Sequence, residues 1–314
     1  MQKPRVLVTG VSGFVGTHLV SLLLSSEQTV FGIDKVTPQA FGASREGLTL
    51  EVGDIRDKDF LRQVLNEIKP GVIYHLAGVI KAKEVETFYE TNVLGSVALF
   101  ETIRELDFKP RVLISSSSAV YGSGYRQNAI GEEFKYRART PYAMSKVMQE
   151  LTALHYHSVH GIAVICARTF NLIGPGQSSD LACSNFAYQI AQAETTQKAA
   201  PILVGNLQAF RDFVDVRDTV RAYQMLAVSG KAGEFYNVCS AKGISMEECL
   251  RYLISLANVP IEVIPEVSRF QKNDIPYQVG NNKKIASQMG WTVKISIQQS
   301  LQDLLNYWRY HIKY

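Results

Sequence analysis

The stretch RVLVTGVSGFVGTHLVSLLL, Arg5–Leu24, decides the reading of this 314-residue chain. Val6, Leu7 and Val8 form a short apolar run of strand type, and Gly10, Gly13 and Gly16 follow at regular steps. An apolar period of helical type then runs to Leu24. A strand that passes at once into a helix needs Gly10 for the turn, Gly13 so that backbone can come close to a pyrophosphate, and Gly16 so that the helix packs on the sheet. The unpaired N–H groups of the helix's first turn then face the phosphates. The strand before and the helix after separate a dinucleotide loop from a chance glycine triplet, whose alternative is a tight turn holding no ligand.

Outward from this loop the chain alternates. Apolar, β-branched runs at Arg5–Thr9, Thr29–Ile33, Leu48–Val52, Val72–Leu76, Val112–Ser116 and Ile162–Arg168 predict strands. Gly13–Leu24, Asp57–Ile68, Glu90–Leu106 and Pro141–His157 predict helices between them. This rhythm predicts an α/β fold, a Rossmann doubly wound parallel sheet covered on both faces. After Arg168 the pattern loosens. Gly174, Pro175 and Gly176 mark a loop, Ile202–Gly205 a short strand, and Asn185–Glu194, Asp215–Leu226, Met246–Leu256 and Ile297–Trp308 helices. The predicted organisation is a dinucleotide-binding Rossmann domain over 1–168, rejoined by part of 205–240, and a smaller C-terminal α+β substrate lobe over 169–314.

Composition excludes several classes. Apolar residues make up 46% and charged residues 20%, enough for a packed core and unlike a disordered chain. The net charge of +4 is spread along the chain with no basic block, so neither nucleic acid nor a membrane surface is an expected partner. No segment reaches the roughly 20 apolar residues of a bilayer span, and the chain enters its first strand with no signal-peptide core. Cys166, Cys183, Cys239 and Cys249 lack metal-like or paired spacing and read as reduced thiols of a cytoplasmic protein. His155, His157 and His160 do not stack on one helical face, so no metal site is expected.

Asp34 ends the second predicted strand, 18 residues after Gly16. A carboxylate there accepts hydrogen bonds from the adenosine ribose and repels a 2′-phosphate, which favours NAD(H) over NADP(H). Lys35 beside it softens that repulsion and leaves room for NADP(H). Asp54, after the third strand, is placed to hold the adenine amino group. Tyr142 and Lys146 stand four residues apart on one helical face, where the ammonium is expected to lower the phenol's pKa and to reach the nicotinamide ribose. A Tyr so tuned exchanges a proton with a hydroxyl near neutral pH. The run Ser115–Ser118 lies at the carboxyl end of the fifth strand, where open α/β sheets bind ligands, so a hydroxyl there shares a substrate oxygen with Tyr142. Taken singly, the Tyr–Lys spacing is a common surface pattern and a serine run is turn chemistry. In this order and context they predict an acid–base site.

These segments resemble the extended short-chain dehydrogenase/reductase family, the NAD-dependent epimerases and dehydratases of nucleotide sugars. The resemblance is carried by TGVSGFVG (Thr9–Gly16), HLAG (His75–Gly78), ETN (Glu90–Asn92), SSSAVYG (Ser116–Gly122) and PYAMSK (Pro141–Lys146). RTFNLIGPGQ (Arg168–Gln177), FAYQIA (Phe186–Ala191), VGNLQAFRDFVDVRD (Val204–Asp218) and YNVCS (Tyr236–Ser240) are most similar to the family's GDP-4-keto-6-deoxymannose reductases, also called GDP-6-deoxy-D-mannose reductases. The resemblance implies a catalytic Ser117, Tyr142 and Lys146. It implies a dinucleotide held by Gly10, Gly13, Phe14, Val15 and Gly16, by Asp34, Lys35, Asp54 and Ile55, by Leu76, Ala77, Gly78 and Asn92, and by Ser115, Ser116 and Phe170. The nucleotide sugar would meet Ser117, Ser118, Asn171, Phe186, Asn206 and Arg211, with Arg269 and Asp274 completing that end; a planar guanidinium suits a diphosphate.

Two departures narrow the expected activity. Related 4,6-dehydratases carry a Glu two residues before the Tyr of the YG pair, to remove water across C5–C6; here that place is Ala119, so dehydration is not expected. The Arg-Pro-x-Glu stretch that closes over the nucleotide in such families is reduced to Gln271-Lys272-Asn273-Asp274, which leaves the base open among GDP, dTDP, CDP and UDP. The resemblance thus implies reduction of the 4-keto group of a nucleotide-linked 4-keto-6-deoxyhexose, GDP-linked in the first place. An NAD-retaining 4-epimerase uses the same Ser-Tyr-Lys set and is the alternative. A non-catalytic NAD-binding protein is a third reading, against which the intact set argues. In relatives the helices over Glu90–Leu106 and Pro141–His157 form a dimer bundle, so a homodimer is expected.

Overall fold

The structure, a computed structural model, describes residues 4–36, 46–124, 128–197, 200–270 and 275–313. In chain order it begins with β1 (Arg5–Thr9), α1 (Phe14–Ser25), β2 (Thr29–Asp34), β3 (Leu48–Val52), α2 (Lys58–Ile68), β4 (Val72–His75), α3 (Glu86–Phe88), α4 (Gly95–Glu105), β5 (Arg111–Ser117), α5 (Pro141–His160) and β6 (Val164–Thr169). It continues with β7 (Asn171–Ile173), α6 (Ala182–Thr196), β8 (Ala200–Val204), β9 (Phe210–Asp215), α7 (Val216–Ser229), β10 (Phe235–Val238), β11 (Gly243–Ser245), α8 (Met246–Ser255), β12 (Ile261–Pro265), β13 (Tyr277–Gln278), α9 (Lys283–Met289) and α10 (Ile297–Lys313).

Seven strands form one sheet in the order β10-β6-β5-β4-β1-β2-β3, and every pairing in it is parallel. The order reverses between β1 and β4, so this is the Rossmann doubly wound sheet predicted from alternation. Strands covered on both faces need unbroken apolar runs. Residues 6–8 and 164–167 are wholly buried, whereas the edge strand β3 is half exposed. One apolar core, with Leu19, Leu23, Tyr223 and Leu226, includes residues of α1 and α7; another, with Leu61, Leu99 and Ile103, includes α2 and α4. Each such side chain contributes roughly 1.5–3 kcal/mol by leaving water.

Residues 216–238 return to this sheet, α7 packing beside α1 and β10 extending the sheet beyond β6. Apart from α9, which packs on β10 and α7, the other C-terminal elements group into a smaller lobe. In it β9 pairs with β7, β11 and β13, and β8 pairs with β12. A third core around Phe186, Ile190, Leu250 and Leu304 joins α6, α8 and α10. Periodicity reveals β8 and the four longer helices here but not β7, β9–β13 or α9. The shortest of these, β7, β11 and β13, hold only two or three residues, too few to carry a period of their own.

Local signals set the helices that matter to the site. The Thr140 hydroxyl caps α5 by accepting from the Ala143 N–H, Pro141 opens its first turn, and Gly161 stops it at φ +69°. Tyr142 thereby stands in the first turn of α5 and Lys146 one turn on. Between α3 and α4 the helix widens into a π-helical turn, Tyr89–Leu94.

Candidate active site

The loop after β1 has room only for glycine at two places. Gly10 takes φ +71°, and a Cβ there would lie 2.8 Å from the backbone of Ala77; a Cβ on Gly16 would lie 2.5 Å from the Gly10 carbonyl oxygen. Gly13 stands at the N-cap of α1 and brings no side chain to the first-turn N–H groups. In the same loop Ser12 has a buried hydroxyl without a partner, alone in this among the buried side-chain N and O atoms of the described residues. An open helix end beside an orphaned hydroxyl is a setting that a dinucleotide phosphate would complete, so these residues fit that cofactor.

Asp34 braces the loop. Its carboxylate accepts from the Ser12 N–H at 2.9 Å and from the Lys35 N–H at 2.8 Å. The Lys35 ammonium turns elsewhere, to Asp54 at 3.3 Å. Arg56 grips the same carboxylate and, with Lys35, holds the pKa of Asp54 down to about 2. Lys35 therefore neutralises Asp54, and the softening of Asp34 expected from sequence is not the pairing observed. Ile55 is a core residue packed on Gly95.

Asn92, in the π-helical turn, is fully buried. It accepts from the Val79 N–H (2.8 Å) and donates to the Val79 carbonyl (3.1 Å) and Ser145 Oγ (2.9 Å), which ties the loop after β4 to α5. A Cβ on Gly78 would come 2.8 Å from Asn92 Oδ1 and 3.7 Å from Lys146 Nζ, so loop, Asn and Lys meet at that glycine.

The four serines ending β5 have four different partners. Ser115 Oγ lies 2.8 Å from the Tyr223 hydroxyl, which also meets Thr169. Ser116 Oγ donates to the buried Glu150. Ser117 accepts from the Ala119 N–H and faces the same cavity as the Tyr142 phenol. Ser118 donates to Gln278 at 3.1 Å. Lys146 is 6% exposed and donates to the Ser115 carbonyl (2.8 Å) and Gln149 Oε1 (2.9 Å). Burial pulls its pKa down to about 8, with Glu150 acting in the opposite direction.

Tyr142 departs from the expected direction. Burial raises its pKa, the Ser117 hydroxyl opposes this, and Lys146 brings no lowering. Taking the phenol out of water penalises its charged form, and the Lys146 ammonium is already engaged by two oxygens. The phenol stays protonated, the form that can give a proton away.

A cavity of about 1020 Å³ joins these parts. Its wall includes Gly10, Gly13, Phe14, Val15, Gly16, Leu76, Gly78, Ser115, Ser116, Phe170 and the set Ser117, Tyr142 and Lys146; Asp34, Lys35, Asp54, Ile55, Ala77 and Asn92 are not part of that wall. Ser118, Asn171, Phe186, Asn206, Arg211 and Arg269 line it as well. Asp274, with residues 271–273, lies outside the described residues. Arg211 donates to the carbonyls of Phe210 (3.0 Å) and Ile275, and Arg269 pairs with Glu266 and donates to Asn185 (2.7 Å). Sequence reasoning missed Ser12, Lys81, Asp180, Tyr223 and Gln278. Lys81, three residues past HLAG, had a neighbouring signal; its ammonium sits 3.6 Å from Asp180, joining the loop after β4 to the loop before α6.

The comparisons with known proteins agree on one group. A family model described as GDP-mannose 4,6 dehydratase matches residues 7–304. GDP-6-deoxy-D-mannose reductase of Pseudomonas aeruginosa is 31% identical over 98% of this chain and 98% of its own length. GDP-6-deoxy-D-talose 4-dehydrogenase of Aggregatibacter actinomycetemcomitans is 28% identical over 91% of each chain. The solved structure of RMD from Pseudomonas aeruginosa complexed with NADPH superposes with a TM-score of 0.85 at 30% identity, over 98% of this chain and 100% of that one. That of the Thermus thermophilus UDP-glucose 4-epimerase in complex with NAD gives a TM-score of 0.87 at 25% identity, over 97% and 99%. Among the described residues no helix is long and apolar enough to cross a membrane.

Proposed function

The chain belongs to the GDP-mannose 4,6-dehydratase family of extended short-chain dehydrogenases/reductases, and from that premise we propose that it reduces the 4-keto group of a nucleotide-linked 4-keto-6-deoxyhexose, GDP-linked in the first place. The observation that carries this is the placement of Ser117, Tyr142 and Lys146 together on the wall of the glycine-loop cavity, Tyr142 one turn from Lys146 on α5. The names of the two relatives, both acting on GDP-6-deoxyhexoses, support the choice of nucleotide.

The glycine loop, with Gly10, Gly13 and Gly16, would hold a reduced nicotinamide dinucleotide, which would supply the hydride for C4. The chain's own residues handle the oxygen. Ser117 and Tyr142 hold it, and Tyr142 gives its proton to O4 as negative charge gathers there. Lys146, on the same wall, would hold the nicotinamide ribose. The ketone thus gains one hydride at carbon and one proton at oxygen. Ala119 stands where a dehydratase has its Glu, and the neighbouring Ser118 hydroxyl is tied to Gln278, which favours reduction over loss of water.

Incubation with GDP-4-keto-6-deoxymannose and reduced cofactor tests the reading. Loss of the reduced cofactor's absorbance with matching formation of a GDP-6-deoxyhexose is expected; an unchanged ketone would overturn it. The likeness to a UDP-glucose 4-epimerase keeps a second reading, favoured if NAD survives purification and a sugar is epimerised with no net consumption of NADH.

Four finer points belong to the same proposal. The seven-stranded sheet serves the dinucleotide and the smaller lobe the nucleotide sugar. NADH is preferred, because the Asp34 carboxylate opposes a 2′-phosphate and Lys35 is engaged by Asp54; Asp34→Ala is expected to raise kcat/KM for NADPH relative to NADH by about tenfold. The protein is a homodimer, because Met144, Met148 and Leu151 form an exposed apolar stripe on α5, with Leu94 likewise exposed on the preceding helix. Met148→Glu with Leu151→Glu is expected to halve the mass seen by sedimentation. The reaction draws on reduced nicotinamide and belongs in the cytoplasm, where the four buried free thiols stay reduced.

A further inference from the structure

Lys146 is buried, and neither of its hydrogen-bond acceptors, the Ser115 carbonyl and Gln149 Oε1, carries a charge. One turn further along α5 stands Glu150, with no exposed surface. Its Oε1 accepts from Ser116 Oγ and from Arg168 Nε (2.9 Å), and its Oε2 accepts from Tyr136 (2.8 Å) and Arg168 Nη2 (2.8 Å). Arg168, 2% exposed, gives its other donors to Tyr121, Tyr136 and the Glu132 carbonyl, and lies over the rings of Tyr121 and Phe235 at 4.9 and 4.0 Å. A buried ion pair often adds less stability than an apolar pair of the same volume. Its place behind the reacting strand asks for another reason. Ser116, tied to Glu150, adjoins Ser117, which faces the same cavity as the Tyr142 phenol. Tyr142, Lys146 and Glu150 also follow at four-residue steps on one face of α5.

We propose that Glu150 is a positioning residue for the reduction: paired with Arg168, it pins the end of β5 through Ser116 so that Ser117 meets the ketone oxygen, and it supplies the anion that keeps the Lys146 ammonium charged. This rests on the function proposed above. Cys166 on β6 also acts to raise the Lys146 pKa once it is ionised, but burial keeps it a thiol, and the remaining titratable groups around Lys146 bring no negative charge. His75 on β4 is held neutral, its pKa pushed down to about 3 by burial. Tyr142 and, on α7, Tyr223 are held as phenols, both pushed up by burial. Around Glu150, burial likewise raises Tyr121 and Tyr136, while Glu132 acts on Tyr121 and is not among the charges acting on Lys146.

Two substitutions separate this from simple packing. Glu150→Gln keeps the shape and removes the charge. The Lys146 side-chain carbon signal, followed by NMR in the cofactor-free protein and assigned with Lys146→Arg, is expected to titrate about one pH unit lower than in wild type. The alkaline limb of kcat should move down with it. Ser116→Ala keeps the charge and cuts the tie to β5, so kcat is expected to fall about tenfold with the titration unmoved. If Glu150→Gln does not fold, the double variant Glu150→Gln/Arg168→Gln leaves no orphaned charge and takes the same measurements. An unmoved Lys146 titration with a uniform loss of kcat at all pH values, or full activity in Ser116→Ala, would overturn the proposal. A wild-type protein that reduces no ketone would overturn the underlying function instead, and the NMR titration would still read the charge.

Discussion

Lys146 on the cavity wall and Lys81 at its rim are the same side chain in opposite settings. Lys146 is 6% exposed, held by a carbonyl and an amide oxygen, and surrounded by side chains that are themselves held: Asn92 by Val79 and Ser145, Gln149 by Ser96, Glu150 by Ser116, Tyr136 and Arg168. Lys81 is 56% exposed and has an Asp180 partner 68% exposed. Leaving a buried polar group unpaired costs about 1–3 kcal/mol, whereas an exposed ion pair contributes about 0–1 kcal/mol. The catalytic end is therefore fixed by many coupled bonds, and the rim is left free to adjust. The first arrangement suits proton transfer, which fails with small misplacements; the second suits a substrate that must enter and leave.

Four measurements would break or sharpen that contrast. Tyr142→Phe is expected to lower kcat by roughly 10²–10⁴ with cofactor affinity little changed, as fluorescence titration would show; a variant retaining most of its activity would move the chemistry away from the buried end. Arg211→Ala should raise KM for the GDP-sugar by about 10–100-fold while kcat stays within a few-fold, a loss of charge-assisted hydrogen bonds in binding alone. A collapse of kcat instead would mean that the outer end is as tightly coupled as the floor.

The third concerns pH. His75 is buried between Thr9 and Ser96, with a pKa of about 3 against an ordinary 6.5. The unfolded chain therefore takes up the extra proton, and stability is lost as pH falls below 6.5 toward 3. At pH 5 that loss is about 2 kcal/mol, which urea unfolding of wild type and His75→Gln at pH 5 and pH 8 should resolve as a component absent from the variant. Smallest of the four, Lys81→Ala should change KM by no more than about fivefold, and the change should vanish at high salt.

The same contrast governs what the sequence makes legible. The buried parallel strands are legible in runs such as residues 164–167, which are apolar because both faces of the sheet are covered. Tyr142 and Lys146 stand out by helix spacing and the serine run by its strand end, without reference to the rest of the chain, whereas Ser117 within that run is singled out by the family resemblance alone. Glu150 and Arg168 are not legible, since only the folded sheet brings residues 18 apart in sequence into one ion pair. The direction of the Tyr142 shift escapes the sequence for a related reason: a Tyr–Lys spacing records proximity and says nothing of how much water the phenol has lost. Adjacency places Lys35 beside Asp34, but the side chain reaches across to the next strand's loop. At the outer end, Gln278 stands on a two-residue strand that no periodicity announces.

The π-helical turn at Tyr89–Leu94 has a consequence for chain length. Such a turn holds one residue more than the α-helix on either side of it. Excising one residue there would let the helix close to its ordinary pitch while the helix beyond it, with Phe100 and Ile103, kept its face to the core. The loss would fall on the turn itself, on the bonds Asn92 makes to Val79 and Ser145. A residue cut from the ordinary helix that follows would instead turn everything downstream by roughly 100°, so this stretch can spare a residue where its neighbour cannot.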